Sequence, residues 1–314
     1  ILGRHHEASF PALMFVQPKT DIEKTRSLSG FAYIDFPVNQ TVIYPDYHNN
    51  TVELSKIDDT IDSVRADKDI TITSVWLKGY ASPESPYKHN AELAIGRTAA
   101  LKEHIGQLFH FADGIIDIDY EPENWEGLRE YVATSNIDHR EEILAMIDSD
   151  MEPDAKEWKI KRTYPKEYRF LLQYCYPYLR RTDYRIEYKI RIFYDVDEIR
   201  RVMAEQPQKL SQNEFYLVAK EYEPGTQEFT DVFETAVRMF PDDAVANLNA
   251  ANAAIRRDDF AAARRYLAKA GDSAETMYAR GALAVREKDY TMAIKCLEQA
   301  EKMGLQQATA TLKE

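Results

Sequence analysis

Cysteine is nearly absent: Cys175 and Cys296 are the two thiols in 314 residues. They lie far apart in stretches of different texture. Neither a disulfide framework nor a zinc site, which wants four clustered ligands, is expected. Long apolar runs are missing as well. No stretch approaches the roughly twenty residues a membrane helix needs, so no transmembrane segment is expected. Positive charge is in deficit: 40 Lys and Arg stand against 53 Asp and Glu, for a net charge of −13. A general nucleic-acid binder would need a basic footprint, so nucleic acid is not an expected partner. Catalytic motifs are lacking too, with no Gly-rich phosphate loop, no nucleophile elbow and no HExxH. With 53 carboxylates, accidental acid pairs are inevitable and do not make a glycosidase dyad. The expectation is therefore a protein that is not an enzyme, with no cofactor and no bound metal. The chain begins at Ile1 without a signal peptide, as a processed or truncated chain would.

What is present is a soluble composition, 44% hydrophobic and 30% charged, on a chain long enough for two domains. Residues 1–29 read as an extension or the stub of a preceding domain, with "SFPALMFVQP" as a possible strand. His5 and His6 are adjacent, and neighbouring side chains point apart, so they read as solvated rather than as metal ligands. From Gly30 the pattern sharpens. "FAYIDFPV" puts Ala32, Ile34, Phe36 and Val38 on one face of a strand. Val52, Leu54, Ile57, Ile61 and Val64 then recur at helical spacing. "DITITSVWLKG", "GIIDIDY" and "DYRIEYKIRIFYDV" read as three more strands. Strands alternating with helices predict a layered α/β unit.

Arg97 is the residue that asks for an explanation. The stretch "GYASPESPYKHNAELAIGRTAALKEHI" starts as a proline-marked loop and becomes a helix. Asn90 reads as its cap. Leu93, Leu101 and Leu108 follow at roughly helical spacing, and Arg97 falls on the same stripe. A guanidinium among leucines is costly unless paired, and the free first-turn N–H groups after Asn90 would also favour an anion. Both features predict a carboxylate near Arg97. It comes either from a ligand or from the chain itself, with Glu84, Asp117 and Asp119 as internal candidates; an exposed Arg97 is the third reading.

Residues 121–179 separate the third and fourth strands. They read as a helical insertion, with helices at "WEGLREYVAT", "REEILAMIDS" and "KEYRFLLQYCYPYL". Residues 156–191 carry eleven Lys or Arg, four acidic residues and seven tyrosines. Tyrosines at alternate strand positions account for much of that texture, and an anionic wall polymer or a protein partner suits the patch better than nucleic acid. After about residue 211 the strand signal ends. "DDFAAARRYLAKA" and "KDYTMAIKCLEQA" align at an offset of thirty, pairing Phe260 with Tyr290, Ala263 with Ala293, Leu267 with Leu297 and Ala270 with Ala300. Each follows another helix, and Ala251 and Gly281 sit where paired helices must approach closely. Helix pairs at this period are solenoid units. Their concave face either binds a partner segment or merely braces the α/β domain.

Residues 212–304 resemble the tetratricopeptide repeat family through the aromatic-then-alanine pattern of the second helix, with Pro241 fitting between units. Residues 30–195 resemble the C-terminal domain of outer membrane protein A and its peptidoglycan-associated relatives. The carriers are the first strand, the "ELSKI" helix, the strand ending at Gly79, Asn90-x-x-Leu93-x-x-x-Arg97, and a last strand following Arg180 and Arg181. The expected fold class is thus α+β/α: an OmpA-like mixed βαβα-type sandwich domain with a helical insertion at about 121–179, plus an α-helical TPR-like solenoid. The domains are 1–29, 30–198 and 211–314. The resemblance implies that Arg97 grips the carboxylate of a peptidoglycan stem peptide as a planar fork while a loop aspartate takes its ammonium. Asn90 and Leu93 match the pattern. The aspartate's place is taken by Ser82, which cannot neutralise an ammonium, and Glu84 is the replacement candidate. Arg181 belongs to the same expected ligand set. The implied function is non-enzymatic: an envelope protein of the periplasm or outer membrane of a Gram-negative cell. It would bind peptidoglycan, or another anionic wall component, through the first domain and an unknown protein through the repeats. The alternative is an envelope assembly scaffold, a surface-appendage or secretion accessory, whose first domain no longer binds the wall.

Overall fold

The computed structural model describes residues 11–21 and 23–314. His5, His6 and the first two residues of "SFPALMFVQP" lie outside them. The chain divides into two compact units. One is Thr25–Arg191; the other joins the N-terminal segment through Lys24 to Ile192–Glu314. The N-terminal stretch, expected as an extension or stub, thus groups with the C-terminal helices.

In the first unit, a strand β1 (Lys24–Ala32, its first residue at the junction) leads to helix α1 (Asn50–Arg65), strand β2 (Ile70–Tyr80), helix α2 (Tyr87–Phe109) and strand β3 (Ile116–Glu121). Five helices follow: α3 (Trp125–Thr134), α4 (Arg140–Ile147), α5 (Pro153–Thr163), α6 (Pro165–Tyr174) and α7 (Tyr176–Leu179). Strand β4 (Thr182–Ile190) closes the unit. The sheet runs in the order β1-β4-β2-β3. β2 and β3 are parallel, Val75 opposite Ile116 through Tyr80 opposite Glu121, as a helical crossover requires. β2 and β4 are antiparallel, with a bulge between Ile72 and Ser74.

The strand expected over 31–38 lies earlier. Beyond Ala32 the backbone leaves the ladder: Asn50 Oδ1 accepts from Asp35 N–H at 2.7 Å, and Asn50 Nδ2 donates to Asp35 O at 2.8 Å. Pro37 has no N–H to contribute, and Asn39 turns the chain at φ 59°. Ala32, Ile34 and Phe36 still point inward, because an extended segment keeps a period of two, but Val38 is exposed. The core joins these to Leu54, Ile57 and Ile61 of α1, Val75 and Leu77 of β2, Leu101, Ile105 and Phe109 of α2, and Tyr184 and Ile186 of β4. Burying each large member fully contributes about 1.5–3 kcal/mol. The insertion has a separate core, including Leu128, Val132, Ile143, Ile160, Leu171 and Tyr176. Asp117 and Asp119 are exposed, as a polar outer strand face predicts.

The second unit holds α8 (Val196–Glu205), α9 (Gln212–Ala219), α10 (Gln227–Met239), α11 (Ala244–Arg256), α12 (Phe260–Leu267), α13 (Ala274–Arg286), α14 (Tyr290–Lys302) and α15 (Gln306–Lys313). Its helix starts repeat at thirty residues. Asp243 caps α11 and Ser273 caps α13; Asp259 caps α12 and Asp289 caps α14. Each side chain accepts a first-turn N–H. The turns before α12 and α14 repeat as well, with Asp258 and Lys288 both left-handed at φ 60° and 63°. Gly281 sits where α13 meets α14: a Cβ there would come within 3.0 Å of Leu297. No helix among the described residues is long and apolar enough to cross a membrane.

Candidate functional site

The helix that carries Arg97 starts four residues earlier than its sequence pattern predicts, with Pro86 rather than Asn90 at the cap position. Pro86, extended at ψ 138°, precedes α2, and Asn90 N–H already donates to Pro86 O at 3.0 Å. Asn90 is therefore not a cap. It is 2% exposed, and its amide donates to Ser85 O at 2.7 Å and to Glu123 Oε1 at 2.9 Å. Trp125 Nε1 donates to the other Glu123 oxygen at 2.7 Å. Asn90 thus ties the first turn of α2 to the start of the insertion. Burial raises the pKa of Glu123, and these two hydrogen bonds work against that rise.

At Ala94, Thr98 and Phe109 the buried face lies one position on from the leucine stripe. Asn90, Ala94, Thr98, Leu101, Ile105 and Phe109 face inward, while Leu108 is exposed. Arg97 lies at the border of that face. Its Nε donates to Gln40 O at 3.2 Å, and its guanidinium carbon stands 4.9 Å from the centre of the Phe36 ring. No ion pair of Arg97 occurs among the described residues. Burial, and then the charge of Arg180, lower its pKa below the ordinary guanidinium value; Asp35 and Glu84 act in the opposite sense. Charges of both signs therefore surround it, although none is bonded to it.

The internal carboxylates proposed for Arg97 are engaged elsewhere or exposed. Glu84 pairs with Arg180 at 3.0 Å. Asp119 lies 3.9 Å from Lys78, and Asp117 is on the exposed strand face. The helix start is not open to an outside anion either. Tyr87 N–H donates to Asp154 Oδ1 of α5 at 2.8 Å, so an acid of the chain already sits there. At about 1.5 Å per residue that end is also roughly 15 Å from Arg97, too far for one ligand group to use both.

Of the other site residues, Ser82 is buried beneath the surface at 2% exposure. It sits in the loop whose Ala81 O accepts from Asn124 N–H at 3.0 Å. Arg181 is paired with Asp183 at 2.8 Å and lies against the rings of Phe31 and Tyr80. The arginine that acts on Arg97 is Arg180. The structure thus brings together Arg97, Arg180, Glu84, Asp35, Phe36 and Gln40, and leaves Asn90, Ser82 and Arg181 outside the set. Asn50 shapes the wall of this cluster, since its amide also donates to Tyr44 O at 2.9 Å and so fixes the loop that carries Asp35, Phe36 and Gln40. The arginine pair was legible in sequence; which of the two acts on Arg97 was not, because both precede β4, which starts at Thr182, and no strand alternation assigns their directions. No protein-family model and no curated protein matches the chain.

Proposed function

We propose that the chain is a non-enzymatic protein of the Gram-negative envelope, and that its α/β unit binds the free amino-acid end of a peptidoglycan stem peptide at Arg97. The observation that carries this reading is the guanidinium itself: it is partly withdrawn from water and backed by an aromatic ring, yet is paired with no carboxylate among the described residues. A ligand carboxylate would complete it as a bidentate pair. The neighbouring Glu84 and Asp35 offer negative charge to an ammonium, so the cluster suits a zwitterion better than a simple anion. The order of strands and helices from β1 to β4 supports an outer membrane protein A-like unit interrupted by the insertion. The thirty-residue recurrence of helices, caps and turns supports tetratricopeptide-like repeats that take a protein partner.

A second reading is favoured by one specific observation. Ser82, at the place of the expected aspartate, is buried, and Glu84 is already paired with Arg180. The ammonium half of the clamp is weakened, as in an assembly scaffold whose α/β unit no longer holds the wall. Titration of the full chain with a diaminopimelate-containing stem peptide, beside Arg97→Ala, separates the two. Saturable binding that falls tenfold or more in Arg97→Ala supports wall binding; equal or absent binding in both leaves the scaffold.

A further inference from the structure

In the helical unit, residues 11–21 form neither helix nor strand, yet their backbone is bonded at regular intervals. Val16 N–H donates to Asn249 Oδ1 at 2.8 Å, and Asn249 Nδ2 donates back to Val16 O at 2.8 Å. Asn252 Nδ2 donates to Met14 O at 2.7 Å. Met14 and Val16 are two apart, so in an extended chain their polar groups face the same way. Asn249 and Asn252 are three apart, so on α11 they share a face. The period of a strand is thus matched to the period of a helix. The side chains of the segment are seated too. Phe15 lies 4.7 Å from the Phe229 ring and 4.9 Å from Phe233, while Leu13 and Val16 pack against the core of α11 and α12.

Two asparagines buried in the middle of a helix are poor choices for the helix itself, and each is costly in an apolar setting unless bonded. Their partners lie on a separate, extended stretch of chain. They read its backbone and not its side chains, which is how a groove accepts a class of peptide. Asn252 Oδ1 is moreover buried with no partner among the described residues, an acceptor left over for one more backbone N–H. We propose that the groove across α11 is an exchangeable site for an extended apolar peptide with an aromatic residue at the Phe15 position, and that Leu13–Gln17 is its resident occupant. Any partner segment of that chemistry enters by displacing this one. The proposal rests on the reading of the repeats as a partner-binding surface and gives that partner its chemistry; it is independent of the Arg97 site.

The test uses the full chain with a site-specific protease sequence in place of the exposed residues Lys19, Thr20 and Asp21. After cutting, a fluorescent peptide with the sequence of residues 9–18 is titrated and followed by anisotropy. The cut chain is expected to exchange its fragment for the probe and bind it saturably. The uncut chain should bind at least tenfold more weakly, because the tethered occupant competes at high effective concentration. A probe with alanine at the Phe15 position, and the Asn249→Ala chain, should each lose about tenfold in affinity. Unfolding on cutting, a fragment that never exchanges, or equal affinity for the two probes overturns the proposal. Stem-peptide binding by the same cut chain is read in parallel, so failure of this site and failure of the Arg97 site are told apart.

Discussion

Each of the two units shelters a cation, and they do so in opposite ways. In the helical unit Lys24 is 1% exposed. Its ammonium donates to both Glu214 oxygens at 3.0 Å and to Lys209 O at 2.9 Å, and stands 4.2 Å from the Phe193 ring. In the α/β unit Arg97 has a ring and one carbonyl, and among the described residues no paired carboxylate. A fully buried charge leaves no alternative to internal pairing, whereas a half-buried one keeps enough water to persist unpaired until a ligand arrives. The strongest way to break this contrast is Glu214→Ala. Besides Lys24, Glu214 accepts from Phe193 N–H and Ser211 N–H at 2.8 Å. Its removal takes the Glu214 carboxylate from a buried ammonium and should cost about 3–5 kcal/mol in denaturant unfolding. Arg97→Ala, measured the same way, should cost under about 1 kcal/mol. Similar losses for the two variants would erase the distinction between a sealed charge and a waiting one.

The next effect sharpens the comparison from within the α/β unit. Arg97 is held at the border of α2 because that helix presses closely on β2. A Cβ on Gly79 would run into Thr98 Oγ1 and come within 3.3 Å of Ala94 O, and Thr98 Oγ1 is itself committed to Ala94 O at 2.6 Å. Gly79→Ala should therefore push α2 outward, costing about 1–3 kcal/mol by overpacking. It should also weaken stem-peptide binding without touching a charged residue. Unchanged stability in this variant would mean that the helix is not fixed by that contact.

The two units also differ in how much of them could be read in advance. The offset of thirty residues pairs Phe260 with Tyr290 and Leu267 with Leu297, and the structure places both members of each pair at equivalent positions of α12 and α14. Such repetition makes each helix evidence for the next. The α/β unit offers no second copy. β2, β3 and the first part of β4 were legible because alternation is strong, although the fourth strand expected to run through 196 ends at Ile190, and β1 was displaced because Asn50 replaces the ladder bonds beyond Ala32. The candidate site failed at the helix start. Asn90 is a common cap residue, and only the buried Glu123, more than thirty positions away, reveals that its amide is used inside. Asp154 at Tyr87 is farther still, 67 positions along the sequence. Helix α5, which supplies it, carries polar residues through most of its length and gave no periodic signal. The asparagines of α11 were in plain view, but their partners are backbone atoms of residues 14 and 16, which have no side-chain signature.

Glu123 supplies the smallest effect and the subtlest test. It is a sheltered charge of the third kind, bonded among the described residues by two neutral donors, Asn90 and Trp125. Its pKa in the folded chain lies above the ordinary 4.5, with burial the leading cause. The sign follows from which state ionises first. Below pH 4.5 the carboxyl is protonated in both states and carries no penalty. As the pH rises from 4.5 through the raised folded value, the unfolded chain ionises first, and stability falls. Glu123→Gln keeps an acceptor for one donor and has nothing to ionise. The stability of the native chain should therefore decline relative to Glu123→Gln between pH 4.5 and neutrality, as followed by urea unfolding at several pH values. Were the difference flat across that range, Glu123 would have to be an ordinary solvated carboxylate.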